Sequence, residues 1–162
     1  MIDHSFKSTI KEYKIIPDNY FIEYIKSFEL KDLKENINNY DSNENIILDL
    51  KKQVSEALKN IFTEHKCKLM DIWIQKYKLN SYHSLHIHGN GNIFSFVWFM
   101  DCTESSSELI FHNPGYPYIV TNTLIIKPEI GKLIFFDGSI PHYVPPNKDT
   151  KRLIISGNCQ KF

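Results

Sequence analysis

A short segment rich in histidine contains the residues of this sequence that are best suited to bind a metal. The chain has seven histidines, and His83, His86 and His88 lie close together. If residues 84–88 are extended, His86 and His88 point to one face of a strand, with Cα atoms about 7 Å apart, and His83 points to the other. Two imidazoles placed in this way can converge on one ion, and imidazole nitrogen suits Fe, Zn, Cu or Ni. The alternative is a solvated or otherwise bonded histidine pair.

A third ligand must come from elsewhere, and His142 is the best candidate. It follows the segment GKLIFFDGSIPH, in which a buried strand ends in a glycine turn and a proline that set the direction of the next strand. An ion held on one side by three protein groups keeps open positions for substrate or oxygen. His65 and His112 are predicted to be structural or surface residues, and His83 to support the ligands.

Arg152 is the only arginine of the chain. It begins the apolar segment RLIISGN, and alternation places its side chain on the same face as Ile154, Ser156 and Asn158, towards the interior. A buried guanidinium requires an anion, and its planar set of donors matches a carboxylate. A dicarboxylate that also chelates the metal would supply one. An ordinary structural salt bridge is the alternative.

The elements that must position these residues change type along the chain. Up to about Lys66 apolar residues recur at helical spacing; beyond it they alternate, are rich in aromatic and β-branched types, and are separated by Gly and Pro turns. The pattern predicts a mostly β fold, a jelly-roll or double-stranded β-helix of the cupin-like kind, supported by two N-terminal helices. The predicted strands are 69–77, 84–88, 93–100, 108–112, 118–120, 123–127, 132–136, 142–144 and 152–158.

Two amphipathic helices are predicted in the first third. One begins after Pro17 and places Tyr20 or Phe21, Tyr24 and Phe28 on its buried face. The other is capped by Asp41 or Ser42. Its apolar stripe comprises Ile46, Ile47, Leu50, Val54, Leu58, Ile61 and Phe62. We expect residues 1–162 to form one domain, with 1–66 as helical support and 67–162 as the β-helix core.

The composition excludes several classes of protein. Lysine plus arginine and aspartate plus glutamate each number 19, so no net field favours nucleic acid or anionic lipid. No apolar segment approaches the roughly 18 residues that a membrane helix requires. Three cysteines without CxxC spacing argue against a disulfide framework and a thiolate zinc site. We expect a cytoplasmic protein, in the host cytoplasm if it is viral, and strands with apolar edges allow pairing between subunits.

Several of these segments together resemble a known family. The resemblance runs through Trp73-Ile-Gln75, HIH at 86–88, ELIFHNP at 108–114, KPEIGKLIFFDGSIPHYVPPN and RLIISGN, over about residues 73–158. In this order they are similar to the 2-oxoglutarate and Fe(II)-dependent oxygenases common in marine phages and bacteria, which are relatives of the prolyl hydroxylase-like group.

The resemblance implies a double-stranded β-helix with Fe(II) as metal, 2-oxoglutarate as co-substrate and dioxygen as oxidant, acting as a hydroxylase on a separate substrate. His86 and His142 take the positions of the two triad histidines. The middle ligand of the wider superfamily is usually aspartate, in HxD, whereas His88 stands here. A neutral ligand in place of a carboxylate leaves the metal site with one negative charge fewer. This difference affects the affinity of the site for metal, the redox potential of the metal and which metal is bound.

The resemblance also implies that Arg152 anchors the distal carboxylate of 2-oxoglutarate. The hydroxyl-bearing residue usual two positions later is replaced by Ile154, so Ser156 or Tyr77 would supply a second contact. Five aromatic residues are either walls of the substrate pocket or plain core residues: Phe94, Phe96, Trp98, Phe135 and Tyr143.

Two other classes of function remain open at this point. A cupin-like metalloprotein, such as a dioxygenase or isomerase that works without 2-oxoglutarate, would use the same three histidines. A non-catalytic jelly-roll that binds a sugar or assembles into a virion would need no metal.

Overall fold

Nine strands and three helices occur in residues 8–28, 44–89, 91–118 and 123–162, the part of the chain that the computed structural model describes. The helices are α1 (Asn19–Lys26), α2 (Glu44–Ala57) and α3 (Lys59–Glu64). The strands are β1 (Ile10–Lys14), β2 (Cys67–Tyr77), β3 (His83–His86), β4 (Ile93–Cys102), β5 (Leu109–His112), β6 (Thr123–Ile126), β7 (Lys132–Asp137), β8 (His142–Val144) and β9 (Arg152–Lys161).

The strands form two antiparallel sheets that pack against each other. The larger sheet has the order β1-β7-β4-β9-β2 and the smaller β3-β8-β5-β6. Because neighbours in each sheet are far apart in sequence, residues from distant segments meet in the space between the sheets. That space holds an apolar core built from both sheets: Tyr77, Val97, Phe99, Leu109, Phe111, Ile126, Ile134, Phe136, Ile140, Val144 and Ile154. The mostly β architecture predicted from the sequence is confirmed.

A second core lies between the other face of the larger sheet and the helices. Along β4, alternation sends Val97 and Phe99 into the inter-sheet core and Trp98 and Met100 towards the helices. Both faces of β4 are therefore apolar. Phe94, Trp98 and Phe135 belong to the helix-facing side, so for these three the core alternative holds.

Helix α1 begins where Pro17 and Asp18 predict it. The side chain of Asp18 accepts a hydrogen bond of 2.7 Å from the backbone N–H of Phe21, an N-cap that satisfies one of the free donors at the helix start. The helix buries Phe21 and Ile25, whereas Tyr20 is 80% exposed. The buried face therefore includes Phe21, one of the two alternatives predicted, and excludes Tyr20.

The predicted second helix is divided in two. Helix α2 ends at Ala57 and α3 begins at Lys59, with Leu58 between them. The predicted stripe nevertheless lies on the core side in both helices, since Leu50, Val54, Leu58, Ile61 and Phe62 are buried. The predicted caps Asp41 and Ser42 lie outside the described residues, as does most of the predicted strand 118–120.

One strand was not expected. Residues 10–14 read as part of a helical region, but they form β1, which pairs with the edge of β7. The segment IKEYK is short and charged, so its strand character depends on the β7 edge rather than on its own pattern. Within the described ranges, no helix is long and apolar enough to cross a membrane.

Candidate active site

Two of the candidate ligands lie opposite each other on neighbouring strands of the smaller sheet. His86 on β3 pairs with His142 on β8. The Nδ1 atom of His86 lies 2.7 Å from the carbonyl of Ser84, and that of His142 lies 2.8 Å from the carbonyl of Ile140. Because a carbonyl only accepts, each Nδ1 carries the proton and each Nε2 is left with a free lone pair. The backbone thereby sets both the tautomer and the direction of these rings.

His88 lies just beyond the end of β3 and completes the cluster. Its backbone N–H donates to the carbonyl of Gly138, 2.7 Å away, in the turn that precedes β8. The Nε2 atom of His88 lies 3.2 Å from the Nε2 atoms of both His86 and His142. An ion with bonds of about 2.1 Å to three nitrogens separates them by roughly 3.0 Å in octahedral and 3.4 Å in tetrahedral geometry. Both observed distances fall in this range, and the ligand atoms of all three rings lie within 4.8 Å of one another, as a shared metal requires.

Electrostatics also favour a cation at this point. Burial, followed by the nearby His86, lowers the pKa of His142 well below its usual value, and the same two causes lower the pKa of His88 to about 4. The rings are therefore neutral at pH 7. A single proton can satisfy at most one Nε2 pair, whereas one cation satisfies all three lone pairs. Among the described residues, no carboxylate joins this cluster.

His83 points to the same side as His86, and the predicted opposite orientation is wrong. The pairing of β3 with β8 shifts register between His83 and His86, which reverses the expected alternation. The two rings stack with centroids 4.0 Å apart. Burial, followed by the charge of His86, lowers the pKa of His83 to about 3.

Arg152 borders the same cavity as the histidines and is fully buried. Its Nε–H donates to the carbonyl of Ser107 at 3.0 Å, and its guanidinium carbon lies 4.1 Å from the centre of the Tyr77 ring. Both terminal nitrogens are buried and have no hydrogen-bond partner among the described residues. No described carboxylate forms an ion pair with Arg152, so the structural salt bridge considered above is not found in the part of the chain described.

Two of the other predicted contacts, Tyr77 and Ser156, border the same cavity. Tyr77 is fully buried, and its hydroxyl donates a long hydrogen bond of 3.4 Å to Gln75 Oε1. Ser156 borders the cavity. Asn158 instead accepts a hydrogen bond from the Ser95 hydroxyl at 2.8 Å. The full lining comprises Trp73, Gln75, Tyr77, His83, His86, His88, Phe96, Val97, Leu109, His142, Val144, Arg152, Ile154 and Ser156.

Two polar residues of this lining, Trp73 and Gln75, were given no role by the sequence reasoning. They share the inward face of β2 with Tyr77, at intervals of two residues, so the alternation that marks Tyr77 also marks them. The other two histidines of the described residues, His65 and His112, do not border this cavity. His112 stacks on Tyr143. Tyr143 is not part of the cavity lining, so it is not a wall of this cavity. His65 Nε2 lies 2.8 Å from the Tyr13 hydroxyl.

Comparison with known families decides the class of this protein. Residues 71–158, more than half of the chain, match the family described as "Putative 2OG-Fe(II) oxygenase". The chain belongs to this family of 2OG-Fe(II) oxygenases. As a member it uses Fe(II), 2-oxoglutarate and dioxygen, in agreement with the resemblance of its motifs. No curated protein sequence matches this 2OG-Fe(II) oxygenase.

Solved structures similar to this 2OG-Fe(II) oxygenase share its fold at low sequence identity. A prolyl-4-hydroxylase from Pseudomonas putida is 14% identical, with 94% of this chain and 92% of that chain covered and a TM-score of 0.60. A viral collagen prolyl hydroxylase from Paramecium Bursaria Chlorella virus-1, in complex with 2OG, is 16% identical, with 94% and 96% covered and a TM-score of 0.60. HygX from Streptomyces hygroscopicus, with nickel, 2-oxoglutarate and hygromycin B bound, is 8% identical, with 94% and 82% covered and a TM-score of 0.69. These likenesses confirm the predicted double-stranded β-helix.

Proposed function

We propose that His86, His88 and His142 hold Fe(II), that Arg152 binds the distal carboxylate of 2-oxoglutarate, and that the enzyme hydroxylates a separate substrate. One observation carries the proposal: a fully buried guanidinium, with two terminal nitrogens that lack partners among the described residues, borders the same cavity as three converging Nε2 atoms. A dianion can bind a cation at the three Nε2 atoms through one end and the guanidinium through the other, so it supplies a partner for both groups.

The residues present fit the metal and the co-substrate. Three neutral imidazoles whose Nε2 atoms lie close together are a donor set suited to Fe(II). When bound, Fe(II) and 2-oxoglutarate supply the activation of dioxygen that hydroxylation of a C–H bond requires. The protein residues position these groups and keep the cavity apolar around them; Val97, Leu109 and Ile154 contribute that apolar wall.

Arg152 is arranged to bind a carboxylate with both terminal nitrogens. Its Nε–H is used by Ser107, which leaves the Nη pair for a two-pronged contact, and the Tyr77 ring lies over the guanidinium plane. Burial removes competing water and strengthens this interaction. We propose that the Tyr77 hydroxyl or Ser156 donates the second hydrogen bond to the same carboxylate.

The replacement of a carboxylate ligand by His88 alters the charge of the proposed site. With three neutral ligands the bound Fe(II) keeps its full double positive charge, whereas a carboxylate would reduce it by one. We therefore propose that the site retains the dianion 2-oxoglutarate through charge at both ends of the cavity, the metal at one and Arg152 at the other.

Metal-dependent binding of 2-oxoglutarate tests this function. Protein stripped of metal is titrated with 2-oxoglutarate by calorimetry, without and with Mn²⁺ as a redox-stable substitute for Fe(II). We expect binding only when the metal is present. In air with Fe(II), slow formation of succinate from 2-oxoglutarate should follow and can be measured by NMR. A protein that binds neither Mn²⁺ nor 2-oxoglutarate would contradict the proposal.

We further propose that residues 1–162 act as one domain in the cytoplasm. In support, Cys67, Cys102 and Cys159 are free thiols, which is typical of a reducing compartment.

A further inference from the structure

The third candidate ligand is oriented differently from the other two. His86 and His142 each direct Nδ1 at a backbone carbonyl, at 2.7 and 2.8 Å. For His88, no hydrogen bond to Nδ1 comes from the described residues, although its backbone N–H is held by Gly138. Metal-binding histidines usually have their second nitrogen fixed, because this sets the direction of the first. Another contact must orient the ring of His88.

That contact is Trp73 on β2. The indole and the His88 ring stack at 5.7 Å with an interplanar angle of 18°. The His88 ring is also nearly parallel to His142, at 5.0 Å and 9°, but their Nε2 atoms lie 3.2 Å apart, so these two rings meet edge to edge. The indole of Trp73 is the aromatic plane that stacks on the His88 ring. Since β2 belongs to the larger sheet, Trp73 fixes the ligand from across the cavity.

The indole N–H of Trp73 is a second unexplained feature. Trp73 is 8% exposed, and its Nε1 is buried without a hydrogen-bond partner among the described residues. Trp98 provides a contrast, because its Nε1–H donates to the carbonyl of Ile15 at 2.9 Å. A buried donor without an acceptor is costly in a folded protein and indicates a ligand that supplies the acceptor. Trp73 borders the same cavity as Arg152 and the histidines.

We infer that Trp73 is a positioning residue with two tasks. Its ring fixes the His88 imidazole, and its N–H donates a hydrogen bond to a carboxylate oxygen of 2-oxoglutarate. This inference rests on the proposed function, since it requires that the co-substrate enter this cavity. Trp73 thereby gives the neutral ligand His88 the fixed direction that backbone carbonyls give to His86 and His142.

Two matched variants separate the tasks of Trp73 from a general packing role. Trp73→Phe keeps an aromatic ring beside His88, although a smaller one, and removes the N–H donor. Trp98→Phe makes the same change at a tryptophan whose N–H is bound to Ile15 in the helix-facing core. With Mn²⁺ present, we expect Trp73→Phe to raise the Kd of 2-oxoglutarate roughly tenfold, because a hydrogen bond to a charged group is lost. The Kd of Mn²⁺ should change less than about threefold, and Trp98→Phe should alter neither.

A third variant tests the stacking. Trp73→Leu removes both the ring and the donor, and we expect the Kd of Mn²⁺ to rise roughly tenfold as well, which is typical of residues that support a ligand. Circular dichroism establishes which variants are folded. If Trp73→Leu does not fold, Trp73→Phe still decides whether the N–H donates to 2-oxoglutarate.

Tryptophan fluorescence gives a readout that does not depend on activity. Co²⁺ should quench the emission of wild type and of Trp98→Phe, in which Trp73 remains beside the metal. It should quench the emission of Trp73→Phe much less. Equal quenching in both variants would contradict the placement of Trp73 beside the metal.

The outcomes distinguish this inference from the proposed function. If wild type binds no 2-oxoglutarate with Mn²⁺, the proposed function fails. If wild type binds it and Trp73→Phe binds it equally well, the role of the indole N–H is overturned while the proposed function stands. If a folded Trp73→Leu keeps the metal affinity of wild type, the stacking role is overturned.

Discussion

The rings of His86 and His142 lie 4.3 Å apart, centroid to centroid, across the pair formed by β3 and β8. Each ring is held by a backbone carbonyl through Nδ1, and each directs its Nε2 atom at His88 Nε2, 3.2 Å away. A metal that enters such a site loses little free energy to the ordering of its ligands. The backbone therefore helps to orient two of the three ligands of the candidate metal centre.

Removal of a ligand should abolish metal binding. We expect His142→Ala and His86→Ala each to weaken Mn²⁺ binding by more than about 100-fold, beyond the loss usual for residues that only support a ligand. Calorimetric titration with Mn²⁺ measures the change. His112→Ala is the control, because His112 stacks on Tyr143 outside the cavity lining. Equal weakening in His112→Ala would show that folding, rather than ligation, had been lost.

Replacement of Arg152 should separate co-substrate affinity from stability. In Arg152→Met an apolar side chain replaces a buried guanidinium with two unpaired nitrogens, at the expense of one hydrogen bond to Ser107. We expect the free energy of unfolding to stay within about 1 kcal/mol of wild type, measured by urea denaturation. The affinity for 2-oxoglutarate should fall by roughly 100-fold, since a charge-assisted two-pronged contact is lost.

Arg152→Lys provides the control for charge. It keeps the positive charge and loses the planar pair of donors, so we expect an intermediate affinity for 2-oxoglutarate. If Arg152→Met bound 2-oxoglutarate with wild-type affinity, the carboxylate would have to bind elsewhere.

The metal-free protein should lose stability in mild acid. Burial lowers the pKa of His88 to about 4 and of His83 to about 3, both below the unfolded value of 6.5. Between pH 6.5 and about 4 the unfolded chain binds protons that the folded chain excludes, so stability falls as the pH falls. Each such histidine contributes up to about 1.4 kcal/mol per pH unit. Urea denaturation of chelator-treated protein at pH 7, 6 and 5 measures this slope.

Two comparisons check the origin of this pH dependence. His83→Phe keeps a ring beside His86 and removes one titrating group, so its slope should be shallower than that of wild type. An unfolding free energy that does not change between pH 7 and pH 5 would show that these histidines are not held neutral.

A glycine in the centre of the larger sheet should be intolerant of a side chain. A Cβ at Gly157 on β9 would lie 2.6 Å from the carbonyl oxygen of Asp71 and 2.7 Å from Cε1 of Phe96. Since backbone atoms of β2 cannot yield, we expect Gly157→Ala to destabilise the protein by roughly 1–3 kcal/mol in urea denaturation. Gly91→Ala is the control, because a Cβ at this position would meet no described atom within 4 Å other than those of its chain neighbours. Similar losses in both variants would contradict the packing described.

Several features of this protein depend on local information and were therefore readable from the sequence. Alternation and turn residues placed the strands of the second half closely, and β8 was predicted at its observed bounds, His142–Val144. The helix start at Asp18 follows from capping chemistry, which involves only the next few residues. The candidate site residues could be predicted from the spacing of the histidines and from the single arginine, because residue type and position on a strand are enough to select them.

Other features depend on which strands pair and in what register, and no local pattern contains that information. The reversed direction of His83 arises from a register shift against β8, and β1 exists as a strand because the edge of β7 is available to it. Trp73 reaches His88 only because β2 and β3 belong to opposing sheets. The amino-acid sequence by itself thus determined the types of the candidate ligands and the segments that form strands. The long-range pairing of strands determined that these ligands meet at one point. The reason is that a contact between distant segments forms only when both sheets are assembled.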